Sequence, residues 1–230
     1  EDFQTTQYEN NFNIKINTQT FDGSDNDNPF NYKFKVGDTI GVFIVKRNDE
    51  KTQAYPTLSA TYKHNIRWVL VENNKWLPAD EESNIDPTFD NQVVDIYAYY
   101  PYHDDVNPKK IEAPIPLDQT TPEQIVSQLP MTARQIGVRS GNPIELTFKS
   151  TLSLLRIDIQ GSEPHALLTD KIISVFTGYL DGTINLASEN AESEFNTTSI
   201  EPNSYSVKMW LDETTISSKN KIQSYYVIAA

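Results

Sequence analysis

Short runs in which apolar and polar residues alternate recur along this chain. The run that anchors the rest is Val93-Val94-Asp95-Ile96-Tyr97-Ala98-Tyr99-Tyr100-Pro101-Tyr102. Read with period two, Val94, Ile96, Ala98 and Tyr100 point one way, and Val93, Asp95, Tyr97 and Tyr99 the other. β-Branched and aromatic residues suit a pleated surface, so the run predicts a strand with one apolar face and one tyrosine-rich face. A tyrosine buries its ring while its hydroxyl reaches the edge of water, which places that second face near a surface. Its expected partner is Phe34–Val45, where a Gly-Asp break precedes a run of uncharged residues.

Further strands follow from the same pattern. Phe12, Ile14 and Ile16 alternate with Asn13, Lys15 and Asn17. Arg67–Val71 alternates up to Asn73-Asn74, a pair that tolerates positive φ and predicts a type I′ hairpin. The implied register sets Glu72 against Lys75, Val71 against Trp76, and Leu70 against Leu77. Residues 103–120 are proline-rich, with room for one edge strand near Ile111. Thr121-Pro122-Glu123-Gln124 carries the signature of a helix start, with Thr121 as N-cap and Gln124 closing a capping box. Pro130 keeps that helix short. Ser140-Gly141-Asn142-Pro143 reads as a boundary, beyond which Ile144–Phe148 and Leu152–Ile159 alternate again. Asp181-Gly182 predicts a hairpin within Ile172–Leu186, with Leu180 against Thr183, Tyr179 against Ile184 and Thr177 against Leu186. Tyr205–Leu211 and Ser224–Ile228 supply two more strands.

The expected fold class is all-β: two consecutive β-sandwich domains, 1–140 and 141–230, with one short helix. Each domain should close its own core. Leu146, Phe148, Leu155, Ile157 and Ile184 belong to one, and Val42, Val94, Ile96, Ala98 and Trp68 or Trp76 to the other.

Composition narrows the chemistry. The 230 residues hold 12 tyrosines, 10 phenylalanines and 3 tryptophans, which suits strands. Net charge is −13, so DNA, RNA and anionic lipid surfaces are repelled, and no basic run offsets this. The absence of cysteine removes thiol nucleophiles, thiolate metal sites and disulfides together. No stretch approaches the ~20 apolar residues of a membrane helix. A chain that begins at Glu1 is compatible with a removed export signal.

Candidate sites are few. The loop Phe21–Pro29 contains Asp22, Asp25 and Asp27, oxygen ligands for a hard cation. No glutamate follows at calcium-loop spacing, so a solvated turn is the expected state. His64, His103 and His165 follow no metal spacing, and His103-Asp104-Asp105 is the ordinary polar chemistry of a loop. Phosphate loops, nucleophile elbows and dinucleotide fingerprints are missing. With 32 acidic residues, chance carboxylate pairs are easy, so none is named as a glycosidase pair. Tyr97, Tyr99, Trp68 and Trp76 have rings that can stack on sugars. Packing in a sandwich core or its rim is the commoner fate of such rings. No catalytic, metal or cofactor residue is assigned.

Taken together, Phe34–Val45 (FKVGDTIGVFIV), Val93–Tyr102 (VVDIYAYYPY), Pro143–Ile159 and Gly178–Leu186 resemble, in order and spacing, the fimbrillin family of Bacteroidetes, the subunits and accessory proteins of type V pili. The resemblance spans most of residues 12–228. It implies an exported protein, usually made as a lipoprotein, with two transthyretin-like sandwiches. It implies a place at the cell surface, in a fimbrium or at the outer membrane, with membrane contact only through a removed lipid anchor. Its partners would be other fimbrial subunits, joined by strand exchange, with a host or bacterial surface ligand for an adhesive member. It implies no catalysis, cofactor or nucleic acid. Two departures stand out. Many stalk subunits carry an arginine shortly after the first strand, where this chain has Thr18-Gln19-Thr20 and no arginine before Arg47; that favours a tip, anchor or accessory subunit. The family also continues past Tyr225–Ala230, which implies a trimmed or missing terminal strand. The Phe12–Ile16 strand is expected in the first sandwich as a replaceable element, while a monomeric surface glycan-binding sandwich is the rival reading.

Overall fold

The computed structural model describes residues 14–19, 33–59, 62–86, 88–121, 124–125, 129–160, 174–177, 181–188, 194–197, 205–212 and 222–229. Expectations for Phe12, the Phe21–Pro29 loop, His165 and residues 178–180 lie outside them.

The expected central strand forms as β5 (Val94–Tyr100), and every residue in it is buried. It pairs antiparallel with β2 (Thr39–Lys46) on one side and β7 (Met131–Val138) on the other. The Gly-Asp break before β2 is a turn in which Gly37 takes φ +96° and Lys35 donates its N–H to the Asp38 carboxylate at 2.7 Å. β3 (Lys63–Val71) and β4 (Lys75–Pro78) continue the sheet beyond β2, and β8 (Ile144–Ser150) continues it beyond β7. β1 (Ile14–Gln19) completes seven strands in the order β1-β8-β7-β5-β2-β3-β4. The sheet curls until its two edges, β1 and β4, come into contact.

The alternation in β5 sorts residues as the period predicts. Val94, Ile96, Ala98 and Tyr100 join the inner core with Ile40, Val42, Ile44, Trp68, Leu70 and Trp76. Tyr97 and Tyr99 face the other way and are buried as well, at 2% and 1% exposed, against Phe43 and Val45. That second face is covered by a small sheet of β6 (Ile111–Pro114), β11 (Asp181–Asn185) and β12 (Glu194–Thr197), ordered β12-β11-β6. Ile111, Ala113, Ile184 and Leu186 supply the covering side chains. The tyrosine face is therefore an interior one: a second layer shields it, which one strand's pattern cannot reveal.

Asp95 lies on that covered face and is fully buried. It sits opposite a bulge, since Val94 pairs with Val138 but Ile96 with Gln135. Gly137, at φ +74°, uses the bulge to donate its N–H to Asp95 Oδ1 at 2.7 Å rather than to a ladder carbonyl. Ala54 N–H donates to Oδ2 at 2.7 Å, and Arg47 NH2 reaches Oδ1 at 2.7 Å. A buried ion pair of this kind adds little net stability, but removing one partner strands the other. Its role is to fix the bulge and the Arg47–Ala54 loop in one geometry.

Three expectations are corrected. The β3–β4 connection is a three-residue loop, Glu72–Asn74, with Asn73 and Asn74 both at positive φ. Leu70 therefore faces Trp76 and Val71 faces Lys75. The cause is burial: a two-residue turn would put Trp76 on the outer face, away from Trp68 and Leu70, whose core it joins. Second, Asp181-Gly182 makes no hairpin. Both residues lie within β11, where Gly182 is buried opposite Ala113 and Thr197. Third, Ser140–Pro143 is the turn of the β7–β8 hairpin, with Gly141 at φ +78°. Leu146 and Phe148 consequently share the inner core with Val42, Val94, Ile96 and Ala98, instead of forming another with Ile157 and Ile184, and Leu155 is exposed rather than in a core.

The remaining described strands are β9 (Ser153–Gln160), β10 (Ser174–Thr177), β13 (Tyr205–Lys208), β14 (Trp210–Asp212) and β15 (Ile222–Ala229). They form the sheets β14-β15-β9 and β10-β13. Val207, Met209 and Val227 are buried together, with Ile157 and Ile159 packed against them. The capping box forms as expected: Gln124 N–H donates to Thr121 Oγ1 at 3.2 Å, and Thr121 N–H to Gln124 Oε1 at 2.9 Å. Among the described residues, only Gln124 and Ile125 are α-helical.

Candidate assembly site

β1 stands apart from the other strands of the large sheet. It runs parallel to β8, with Ile14 opposite Ile144, Ile16 opposite Leu146 and Thr18 opposite Phe148. Every other pairing in that sheet is antiparallel. Its far side touches β4 without a ladder, so β1 fills a seam between the two edges. The local sequence explains the fit. Ile14 and Ile16 turn inward against the core, and Lys15 turns outward to Glu145 at 3.1 Å.

What holds β1 is modest. Each half-buried isoleucine contributes about 1 kcal/mol, taken as half of a fully buried side chain. Both partners of the Lys15–Glu145 pair are more than half exposed, so it adds little. The backbone ladder to β8 supplies the rest. Beneath the seam, the Phe34 ring meets Trp76 of β4, Tyr100 of β5 and Phe148 of β8 edge-on, at centroid distances of 5.1, 5.2 and 5.3 Å. Taking β1 away would bare an unpaired β8 edge and an aromatic floor together. On the opposite flank, β4 is four residues long and ends at Pro78, which has no N–H to offer.

The other candidates disperse. Trp68, Trp76, Tyr97 and Tyr99 are all buried and form no sugar-stacking platform. The Tyr97 hydroxyl donates to Ala54 O at 2.7 Å and accepts from Gln53 Nε2 at 2.9 Å; burial pushes its pKa up to about 12. The Tyr99 hydroxyl donates to Asn65 Oδ1 at 2.7 Å, and burial likewise raises its pKa. Tyr102 lies under the Arg67 guanidinium and donates to Asp104 at 2.9 Å; burial first, then that hydrogen bond, brings its pKa up to about 12. His103 is exposed and its carbonyl accepts from Asn65, while the His64 ring packs edge-on against Phe43 at 5.0 Å. Among the described residues, no three His, Cys, Asp or Glu side chains converge as a metal site. Sequence reading missed the Arg47–Asp95 pair, although a lone aspartate inside an apolar run was its signal.

Packed β-sheets, with one parallel strand filling the seam of the largest, define an all-β protein of the sandwich class. The fimbrillin-like family model matches residues 6–228, and the chain belongs to the fimbrillin-like family. It is a fimbrial-type surface protein. Its fold is similar to a candidate cell adhesion protein from Bacteroides ovatus ATCC 8483, with a TM-score of 0.59 and 18% identity over 94% of this chain and 76% of that one. A second such protein, from Bacteroides uniformis ATCC 8492, gives a TM-score of 0.57 and 18% identity over 85% and 69%. No curated protein matches.

Proposed function

We propose that this chain is a structural or adhesive subunit of a surface fimbria, without catalytic activity, and that it assembles by strand exchange at the β1 seam. The observation that carries the reading is β1 itself. It is one strand, bonded on one side only, whose removal opens a sheet edge and an apolar floor at once. An extended segment with apolar residues at alternate positions fits that vacancy, through main-chain hydrogen bonds and two side-chain pockets. Other fimbrial subunits are the partners. Export, a lipid anchor that is later removed, and residence in the fimbrium or at the outer membrane complete the proposal.

Deletion of residues 1–20 tests it. The parent protein is expected to run as a monomer in size-exclusion chromatography with light scattering, and the deleted protein to form polymers visible by electron microscopy. A deleted protein that stays monomeric with an unchanged melting temperature makes β1 decoration and ends the strand-exchange reading.

A further inference from the structure

The outward faces of β7 and β8 line a groove of about 450 Å³, within the ~300–1,000 Å³ usual for ligand sites. Thr132 and Arg134 come from β7, and Glu145, Thr147 and Lys149 from alternate positions of β8. The far wall is Asn185, the last residue of β11, with Leu186 and Ser188 after it.

Charge sets this groove apart. The chain carries −13 overall, and most of its described arginines have carboxylate partners: Arg47 with Asp95, Arg67 with Asp80, Arg139 with Glu50, Arg156 with Asp158. Arg134 and Lys149 have no such partner among the described residues. Glu145, the groove's one carboxylate, is engaged by Lys15 of β1. Among the described residues, a half-buried guanidinium and an ammonium thus share one concave surface whose single carboxylate is turned to Lys15.

The rest of the lining selects among anions. Thr147 presents a hydroxyl and Asn185 an amide N–H pair. The Ser150 and Thr151 hydroxyls, which already donate to Leu152 O and Pro130 O, offer acceptor lone pairs, so the groove is more polar than apolar. A peptide needs an unpaired strand edge or apolar pockets, and neither is here, because β7 and β8 are interior strands with neighbours on both sides. The volume exceeds what a bare inorganic anion fills. We propose that this groove binds an acidic saccharide, with a sugar carboxylate seated on the Arg134 guanidinium beside Lys149 and its hydroxyls on the threonine, serine and asparagine side chains. Guanidinium and carboxylate match as planar, two-pronged partners. The site goes beyond strand exchange and requires no replacement of β1.

The test is calorimetric titration of the full chain at low salt with trigalacturonate, with galactotriose as the neutral sugar and tetraglutamate as the acidic peptide. Trigalacturonate is expected to bind, and to bind more weakly as salt rises. Arg134→Gln with Lys149→Gln should weaken it by ~10-fold or more. Thr147→Glu, which adds a like charge to the groove while keeping both cations, should do the same independently. Both variants should keep the parent melting temperature and the polymerisation of the residue 1–20 deletion, so failure here and failure of strand exchange are separable. The proposal is overturned by absent trigalacturonate binding, by galactotriose binding as tightly, by tetraglutamate binding as tightly, or by folded variants that bind like the parent.

Discussion

Gly41 lies directly beneath the ring of Tyr99, its partner across the β2–β5 ladder. A Cβ built there falls 2.1 Å from a ring carbon, deep inside contact distance. The ring lies flat because its hydroxyl is held between Asn65 and the His103 N–H, so neither side can give. Gly41→Ala should therefore cost about 1–3 kcal/mol, as overpacking of a core does, measured as a shift in urea midpoint. A loss below roughly 0.5 kcal/mol would show that the ring is free to move. The need for this glycine was invisible in the sequence, because Tyr99 becomes its neighbour only through pairing. Tyr97 gives a second prediction at this scale. Burial favours its neutral phenol, so its folded pKa, about 12, stands above the ordinary value of 10. The unfolded chain then releases that proton first as pH rises. This contribution is whole below pH 10 and is lost on the way to about 12. Urea midpoints should agree between pH 8 and 9 and fall by pH 11, and the fall should be smaller in Tyr97→Phe. Parallel falls in parent and variant would remove Tyr97 as the cause.

At the level of whole strands, period-two alternation located most of the described elements, including both faces of β5, the edge strand at Ile111 and the alternation of β8. It failed on partners. The two-asparagine turn and Asp181-Gly182 were read from local chemistry alone. The first yielded to the burial of Trp76, and the second to the pairing of Gly182 with strands distant in sequence. The outward residues Glu145, Thr147 and Lys149 were legible as the polar half of β8, but their meeting with Asn185–Ser188 depends on a layer no local pattern encodes. For β1 the alternation carries a direct consequence. Ile14→Asp with Ile16→Asp puts two carboxylates against the inner core while the strand's backbone remains. Light scattering should show partial polymer, less than the residue 1–20 deletion gives, because the altered strand still competes for the seam. A strictly monomeric double variant with parental stability would mean the isoleucines do not hold β1 in place.

For the molecule as a whole, class and family were readable, while the division of labour between the halves was not. The β7–β8 hairpin crosses Gly141 and delivers Leu146 and Phe148 to the inner core, and β11 returns Ile184 and Leu186 to cover Phe43, Tyr97 and Tyr99. Lys208 further on is tied to the Leu117–Gln119 segment through backbone hydrogen bonds of 2.9 and 3.0 Å. A fragment of residues 1–140 would thus lack one side of the inner core and the cover of the tyrosine face. It should give the poorly dispersed amide spectrum of an unfolded chain and no cooperative melt. A dispersed spectrum with a sharp transition would instead vindicate an independent domain ending at residue 140.

The ring of Phe34 places an indole at the seam, and that gives the molecule a lamp of its own. Trp76 is 5% exposed, on the β4 flank of the strand-filled gap. So dry an indole should emit to the blue with β1 in place, and water admitted by a departing β1 should move its emission to the red. A strand arriving from elsewhere would dry it again. Opening and refilling can therefore be followed by colour in unlabelled protein, against Trp68 in the deeper core and Trp210 as internal references.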